Sequence, residues 1–401
     1  MLTDGALRML VLLQFHMLGF SPVQLAYLFV LYEVAGIVTN LSAGWIAARF
    51  GLTSTLYAGL AIQVGALLAL AMLDPAWTLW ASVVYVMAVQ GASGVAKDLA
   101  KMSAKSAVKV LAPTGQGGLF RWVAVLTGSK NAVKGLGFLL GAVLLGTLGF
   151  VPAVLWMAAV LAVILIAVVW KMPAGLPRGK KDAKFAEVFS KDRNINWLSA
   201  ARMFLFGARD VWFVVGIPIY FYAVLSDGTE AGNRAAFFMI GTFMACWTIL
   251  YGAVQAYAPR LLNAAARPKA ELVGEARRWV GMLFAVPAIL AVTVWVAGDP
   301  APWLTVTLVA GLLVFGAIFA VNSSLHSYLI LAFTRSDRVT MDVGFYYMAN
   351  AAGRLMGTLL SGLTYQLGGL PACLGTAALL VGLSWLCAGR LDAHNTSEAT
   401  A

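Results

Sequence analysis

Charge is scarce in this sequence, and the scarcity decides its class. Only 11% of the 401 residues are Asp, Glu, Lys or Arg while 61% are apolar, so most side chains cannot face water. The class left is an integral membrane protein. Cysteine is scarce as well: Cys246, Cys373 and Cys387 stand far apart with no CxxC and no nearby His pair. That excludes a disulfide framework and a metal site, and leaves the redox compartment unread. His16 and His326 have no carboxylate at ligand spacing and read as packing or hydrogen-bonding residues. There is no HExxH, no Ser with a partnered His and no acidic metal cluster. A membrane-embedded enzyme is therefore set aside, and no catalytic residue, metal or cofactor is expected. The net charge is +11, but the basic residues lie between hydrophobic runs and not on one polar domain, which argues against a nucleic-acid partner.

What the sequence has in plenty is apolar runs long enough to cross ~30 Å of hydrocarbon. The first, MLTDGALRMLVLLQFHML, is short before Gly19 and carries Asp4 and Arg8. It has neither the basic start nor the small-residue cleavage site of a signal peptide, and reads as a helix whose inner half is missing. Further runs fall at about 22–48, 53–73, 77–100, 121–149, 152–171, 196–225, 234–257, 277–298, 302–332, 339–366 and 370–390. With the first these make twelve. The longest internal polar stretch, KMPAGLPRGKKDAKFAEVFSKDRNIN, follows the sixth. The expected fold is an all-α integral membrane bundle of two pseudo-symmetric six-helix halves, 1–171 and 196–392, joined by a basic linker at 172–195 and ending in a short tail at 393–401. Alternate connections hold Arg49, Lys97 to Arg121, the linker, Arg260 to Arg278, and Arg335 with Arg338; the others hold Asp74, Asp227, Glu230 and Asp299, with Arg234 the exception. The positive-inside rule then puts both termini in the cytoplasm.

Cations within the runs need a reason, since each costs about 2.5–3.5 kcal/mol to insert. Lys97, Lys101, Lys105 and Lys109 form one ridge of a helix; with Asp98 beside it and Pro113 after it, the ridge reads as a juxtamembrane helix or an anion-binding face. Lys130 and Lys134 lie deeper, with Gly137 and Gly141 on the same stripe. KNAVKGLGFLLG in the fifth run aligns with NAAGRLMGTLLS in the eleventh, so that Lys134 matches Arg354 and Gly137 matches Gly357. TDGALR at Thr3 to Arg8 similarly stands beside FGARDV at Phe206 to Val211. Such positions converge on a central cavity in a two-fold bundle. Arg8, Lys130, Lys134, Arg209 and Arg354, with Asn350, are the candidate anion-binding set. Arg202 and Arg209 share a face, and Asp210 beside the second allows an internal Arg–Asp lock. Asp4 and Arg8 could cancel within their own helix. Glu33 lies far from any basic loop and is either a helix–helix hydrogen bond or a proton site; Glu33, Asp210 and Asp4 are the candidate coupling residues. Phe345, Tyr346 and Tyr347 beside Asn350 line a cavity or simply pack.

GWIAARFGL, from Gly44 to Leu52, resembles the loop between the second and third helices of the major facilitator superfamily, with Gly44, Arg49 and Gly51 in place and Ala48 where that loop has an acid. LTDGALRMLVLLQFH, YEVAGIVTNLSAGW, AKDLAKMSAKSAVKVL, WVAVLTGSKNAVKGLGF and LSAARMFLFGARDVWFVV resemble the ArsJ family of organoarsenical efflux permeases. That resemblance implies a twelve-helix major facilitator bundle in the cell inner membrane, acting as a monomer. It implies export of 1-arseno-3-phosphoglycerate, made when a glyceraldehyde-3-phosphate dehydrogenase, the functional partner, uses arsenate in place of phosphate. Family members extend further at the N-terminus, so that Met1 falls inside the first helix. The residue chemistry agrees: a doubly anionic ester needs several cations, with guanidinium forks for oxyanions and lysines as point charges. A thiol-based arsenite carrier would want grouped cysteines. The alternative within transport is an exchanger of sugar phosphates or other organic anions; an anion channel is the other rival.

Overall fold

The computed structural model describes residues 1–111, 118–172, 190–262, 267–334 and 339–392, leaving aside the side chains of 43–44, 47–49, 52, 102, 104–111, 118–128 and 339–341. The linker cations Arg178, Lys180, Lys181 and Lys184, with Arg335, Arg338 and the 393–401 tail, lie outside the described residues. So do the side chains of Ala48, Arg49, Lys105, Lys109 and Arg121.

The described residues are all-helical. In order they form α1 (Leu2–Met17), α2 (Pro22–Tyr27), α3 (Val30–Phe50), α4 (Leu52–Ala71), α5 (Leu79–Leu111), α6 (Gly118–Leu148), α7 (Phe150–Lys171), α8 (Arg193–Val211), a π-turn (Trp212–Gly216), α9 (Ile217–Leu225), α10 (Glu230–Leu261), α11 (Lys269–Ala297), α12 (Pro302–Phe333) and α13 (Val339–Ala388). Only helices satisfy every backbone group within one segment, which hydrocarbon demands. Ten of the described stretches are long and apolar enough to cross a membrane. The 16 residues of α1 rise only about 24 Å, and α13 breaks at Gly368 and Gly369, where the sequence separates its last two runs. Among these stretches, α2 with α3 and α8 with α9 each make one, and α13, counted once, has two arms.

Local chemistry sets the boundaries. Ser21, Pro22 and Gln24 build a capping box that starts α2. Before α10, the Asp227 carboxylate accepts from the Thr229 N–H and hydroxyl, which holds it below the usual carboxylate range. The turn between α6 and α7 rests on Gly149 at φ +78°, and the break in α13 on Gly369 at φ +62°. Both are left-handed positions that favour glycine, and each is followed within three residues by proline. Large apolar side chains cover the outer faces: Val163, Ile166, Ile289, Val292 and Val306 are exposed. Near the ends of α5, α7, α11 and α12 stand exposed Trp80, Trp170, Trp295 and Trp303, as membrane–water interfaces favour.

The chain divides into two compact units, Met1–Ala186 with Ile217–Ile249, and Glu187–Gly216 with Leu250–Ala401. In the first, α1 crosses α6 at Gly5 and Gly137, and Ala6 meets Gly141 one turn on. There α5 abuts α3 at Gly94 and α4 at Gly59, and α10 abuts α6 at Gly241 and Gly135. In the second, α8 crosses α13 at Gly207 and Gly357, and Met203 meets Gly353. Each unit thus joins its first span to its fifth through a backbone-to-backbone glycine contact of the small-residue kind that membrane helices use. Two further ties close the second unit: Ser384 donates to the Ala201 carbonyl at 2.8 Å, and Asn194 exchanges two hydrogen bonds with the Asp392 backbone. The π-turn of the seventh span is held by Ser361, whose hydroxyl accepts from the N–H groups of Val215 and Gly216.

A Cβ at Gly357 would lie 2.5 Å from the Gly207 carbonyl, and one at Gly137 would collide with the Leu2 carbonyl, whereas at Gly65 it meets nothing within 4 Å. Gly357→Ala and Gly137→Ala are therefore expected to cost about 1–3 kcal/mol and to lower the unfolding temperature of the detergent-purified protein by several degrees. Gly65→Ala should match wild type. The check is a thermal unfolding series on all three.

Candidate functional site

Two polar clusters form within the apolar bundle, one in each unit. In the first, Asp4 and Arg8 lie one turn apart on α1, and Tyr32 and Glu33 are adjacent on α3. The approach of Gly94 to the Tyr32 backbone sets α5 against α3, so that Lys97, on the next turn, reaches the Tyr32 ring at 4.1 Å and its hydroxyl at 2.8 Å. That hydroxyl accepts from Lys97 and donates to the buried Asp4 carboxylate. Arg8 takes a different acid: its Nη2 lies 2.5 Å from Glu33 Oε1, and its guanidinium packs 5.0 Å from the Phe29 ring. Asp4 and Arg8 thus do not cancel within their own helix; each is matched from α3.

Around Asp98, Lys97 and Lys101 of the ridge turn inward. Asp98 is buried, accepts from Thr39 at 2.7 Å and lies 3.8 Å from Lys97 and 3.6 Å from Lys101, which also donates to Asn40. The side chain of Lys97 is only 7% exposed, so at least this member of the ridge belongs to the interior. Deeper on α6, Lys134 is half-buried with its ammonium 5.6 Å from the Phe138 ring and, with Lys97, within electrostatic reach of Asp4. Lys130 is half-buried one turn earlier.

In the second unit, α8 buries Arg202 and Asp210, and the side chain of Arg209 is only 14% exposed, so these three charges belong to the interior. Arg209 pairs with its neighbour Asp210 at 2.5 Å, which is the lock weighed for it, and its guanidinium lies 4.8 Å from the Phe206 ring. Arg202, two turns earlier, is different. It is buried, and its partners are neutral: Nε donates to Asn350 Oδ1 at 3.1 Å, while Nη1 donates to the Ser323 carbonyl at 3.0 Å and hydroxyl at 2.9 Å. Its face lies on Phe206 at 4.1 Å and on Tyr346 at 5.1 Å. Asn350 is thereby brought into contact with Arg202, and Arg354, one turn on along α13, is half-buried. Tyr346 is fully buried in the core with Ile195, Leu272 and Leu329.

Sequence reasoning left Lys97 and Arg202 out of the candidate set. A signal for Arg202 was present in SSLHS at Ser323 to Ser327, a polar run inside an apolar span and the source of its main acceptor. His16 packs edge-on to Tyr222 at 5.0 Å, and His326 is fully buried with no hydrogen bond at either ring nitrogen. The cysteines are not grouped: Cys246 is exposed, Cys373 and Cys387 are buried, and Cys373 accepts from Thr364 at 3.3 Å.

No family model matches the chain, and no curated protein does. Solved structures match it over nearly its whole length. A point mutant of the nucleoside transporter NupG superposes with a TM-score of 0.67 at 17% identity over 97% of this chain and 94% of its own. A bacterial homologue of the iron transporter ferroportin superposes in its inward-facing state with a TM-score of 0.69 at 14% identity, and in its outward-facing state with 0.60 at 15%; each covers 97% of this chain and 96% of that one. The chain is a multi-pass membrane protein with the major facilitator fold.

Proposed function

We propose that the chain is a membrane transporter that exports a phosphorylated organic anion from the cytoplasm, specifically 1-arseno-3-phosphoglycerate, and so confers arsenate resistance. The observation that carries this reading is the excess of cations over acids in both clusters. Asp4, Glu33 and Asp98 stand against Arg8, Lys97, Lys101, Lys130 and Lys134 in the first unit, and Asp210 and Asp342 against Arg202, Arg209 and Arg354 in the second. A net positive interior in hydrocarbon favours an anionic cargo. The named neighbours, transporters of nucleoside and of iron, support transport and are silent on this cargo. The arsenic ester rests on the resemblance of the 96–137 and 198–215 stretches to organoarsenical permeases. Ungrouped cysteines weigh against a trivalent, thiol-seeking arsenical. In this reading the chain sits in the cell inner membrane with both termini cytoplasmic, as its basic connections favour, and works as a monomer beside a glyceraldehyde-3-phosphate dehydrogenase that makes its substrate.

The direct test is uptake by inverted vesicles supplied with dehydrogenase, glyceraldehyde 3-phosphate, NAD and arsenate. Saturable uptake of arsenic that needs the dehydrogenase is expected, and growth in arsenate should improve only when both genes are expressed, with arsenite resistance unchanged. Full arsenate resistance without dehydrogenase would make the inorganic ion the cargo. Sugar-phosphate counterflow in the same vesicles, without arsenic uptake, would favour the exchanger reading. At equal protein level, Lys134→Gln or Arg354→Gln should lower uptake at least about tenfold, the loss of one strong charge-assisted contact; near-normal uptake in either removes that residue from the site.

Coupling is proposed to run through Glu33. Its carboxylate is fully buried and pairs across helices with Arg8 of α1, so a change in its charge would alter a contact between two spans, whereas Asp210 pairs with its own chain neighbour Arg209. Glu33→Gln should therefore abolish the dependence of uptake on an imposed pH gradient, measured at several gradients in the same vesicles. Wild-type pH dependence in that variant would make Glu33 structural.

A further inference from the structure

We propose that Arg202, with Ser323, is the oxyanion subsite of the second unit, and that it takes the phosphate-ester end of the ligand; the proposal rests on the transport reading above and assigns a site within it. The other arginines placed in the two clusters with a resolved partner, Arg8 and Arg209, each face a carboxylate at 2.5 Å. Arg202 has none. Its bonds run to an amide oxygen, a carbonyl and a hydroxyl, which orient a guanidinium without neutralising it.

The geometry of those bonds leaves donors over. They use Nε and Nη1, so both N–H groups of Nη2 are uncommitted, and Nη2 is not among the polar atoms sealed from solvent without a partner. Ser323 Oγ accepts from Arg202 Nη1 at 2.9 Å and from Gln255 Nε2 at 3.2 Å, so its own proton remains to be donated. Phe206 at 4.1 Å and Tyr346 at 5.1 Å from Cζ hold the guanidinium in place. On the next turn of α12, His326 is fully buried with both ring nitrogens unpartnered, within electrostatic reach of Arg202. A fixed cation with two diverging N–H groups on Nη2, a serine O–H and an unmatched imidazole is a donor set for a tetrahedral oxyanion, which offers several acceptor oxygens at once. A purely structural clamp between α8, α12 and α13 would have no use for the leftover donors.

The experiment is equilibrium binding to detergent-purified protein, by calorimetry, with glycerol 3-phosphate, 3-phosphoglycerate and glycerate as probes, alongside thermal unfolding. Wild type should bind the two phosphate esters and bind glycerate weakly. Ser323→Ala should weaken both phosphate esters severalfold, and Arg202→Lys, which keeps the charge and loses the fork, about tenfold. Unfolding temperatures should stay at the wild-type value; where Arg202→Lys lowers it, Ser323→Ala decides. Wild-type affinity in both variants overturns the subsite and leaves the transport reading standing. Failure of wild type to bind any phosphate ester overturns that reading and the subsite with it.

Discussion

An ion in hydrocarbon must be matched by another ion, by oriented dipoles or by a ligand, and the interior of this bundle is arranged around that requirement. Glu33 and Arg8 meet the first condition, as do Asp210 and Arg209. Arg202 meets the second with Asn350 and Ser323. Breaking a buried pair by removing one partner costs about 3–5 kcal/mol, so the matched ions also fix which helix faces which. The glycine contacts then set the distances. Had α1 and α6 been separated by ordinary side chains, Lys134 would stand a side chain's width further from the helix that carries Asp4.

A similar construction occurs in each unit, with different ions on it. Gly5 against Gly137 and Gly207 against Gly357 are both close backbone crossings, though Gly137 faces the Leu2 carbonyl and Gly357 the carbonyl of Gly207 itself; Asp4 precedes the first of these glycines and Phe206 precedes Gly207. Similar crossings therefore carry different chemistry. The first cluster is rich in lysine and carboxylate, and the second is built on arginine with neutral acceptors and aromatic faces.

Much of this was legible in the sequence because hydrocarbon imposes length, composition and charge placement on every crossing. The apolar runs and the break before Pro371 could be read directly. So could the adjacency of Arg209 and Asp210, which needed no fold to bring them together. What could not be read were partnerships across the chain. Arg202 finds its acceptors 121 and 148 residues away, and Arg8 passes over Asp4 for Glu33, 25 residues on. Lys97 misled for a further reason. A four-residue spacing of lysines looks the same whether the ridge lies at the interface or turns inward, and only the approach of Gly94 to Tyr32 decides which.

The Tyr32 hydroxyl receives a hydrogen bond from the Lys97 ammonium and gives one to the Asp4 carboxylate. One phenol oxygen on α3 thus links α1 to α5, and its loss would leave a cation and an anion each short of a hydrogen bond.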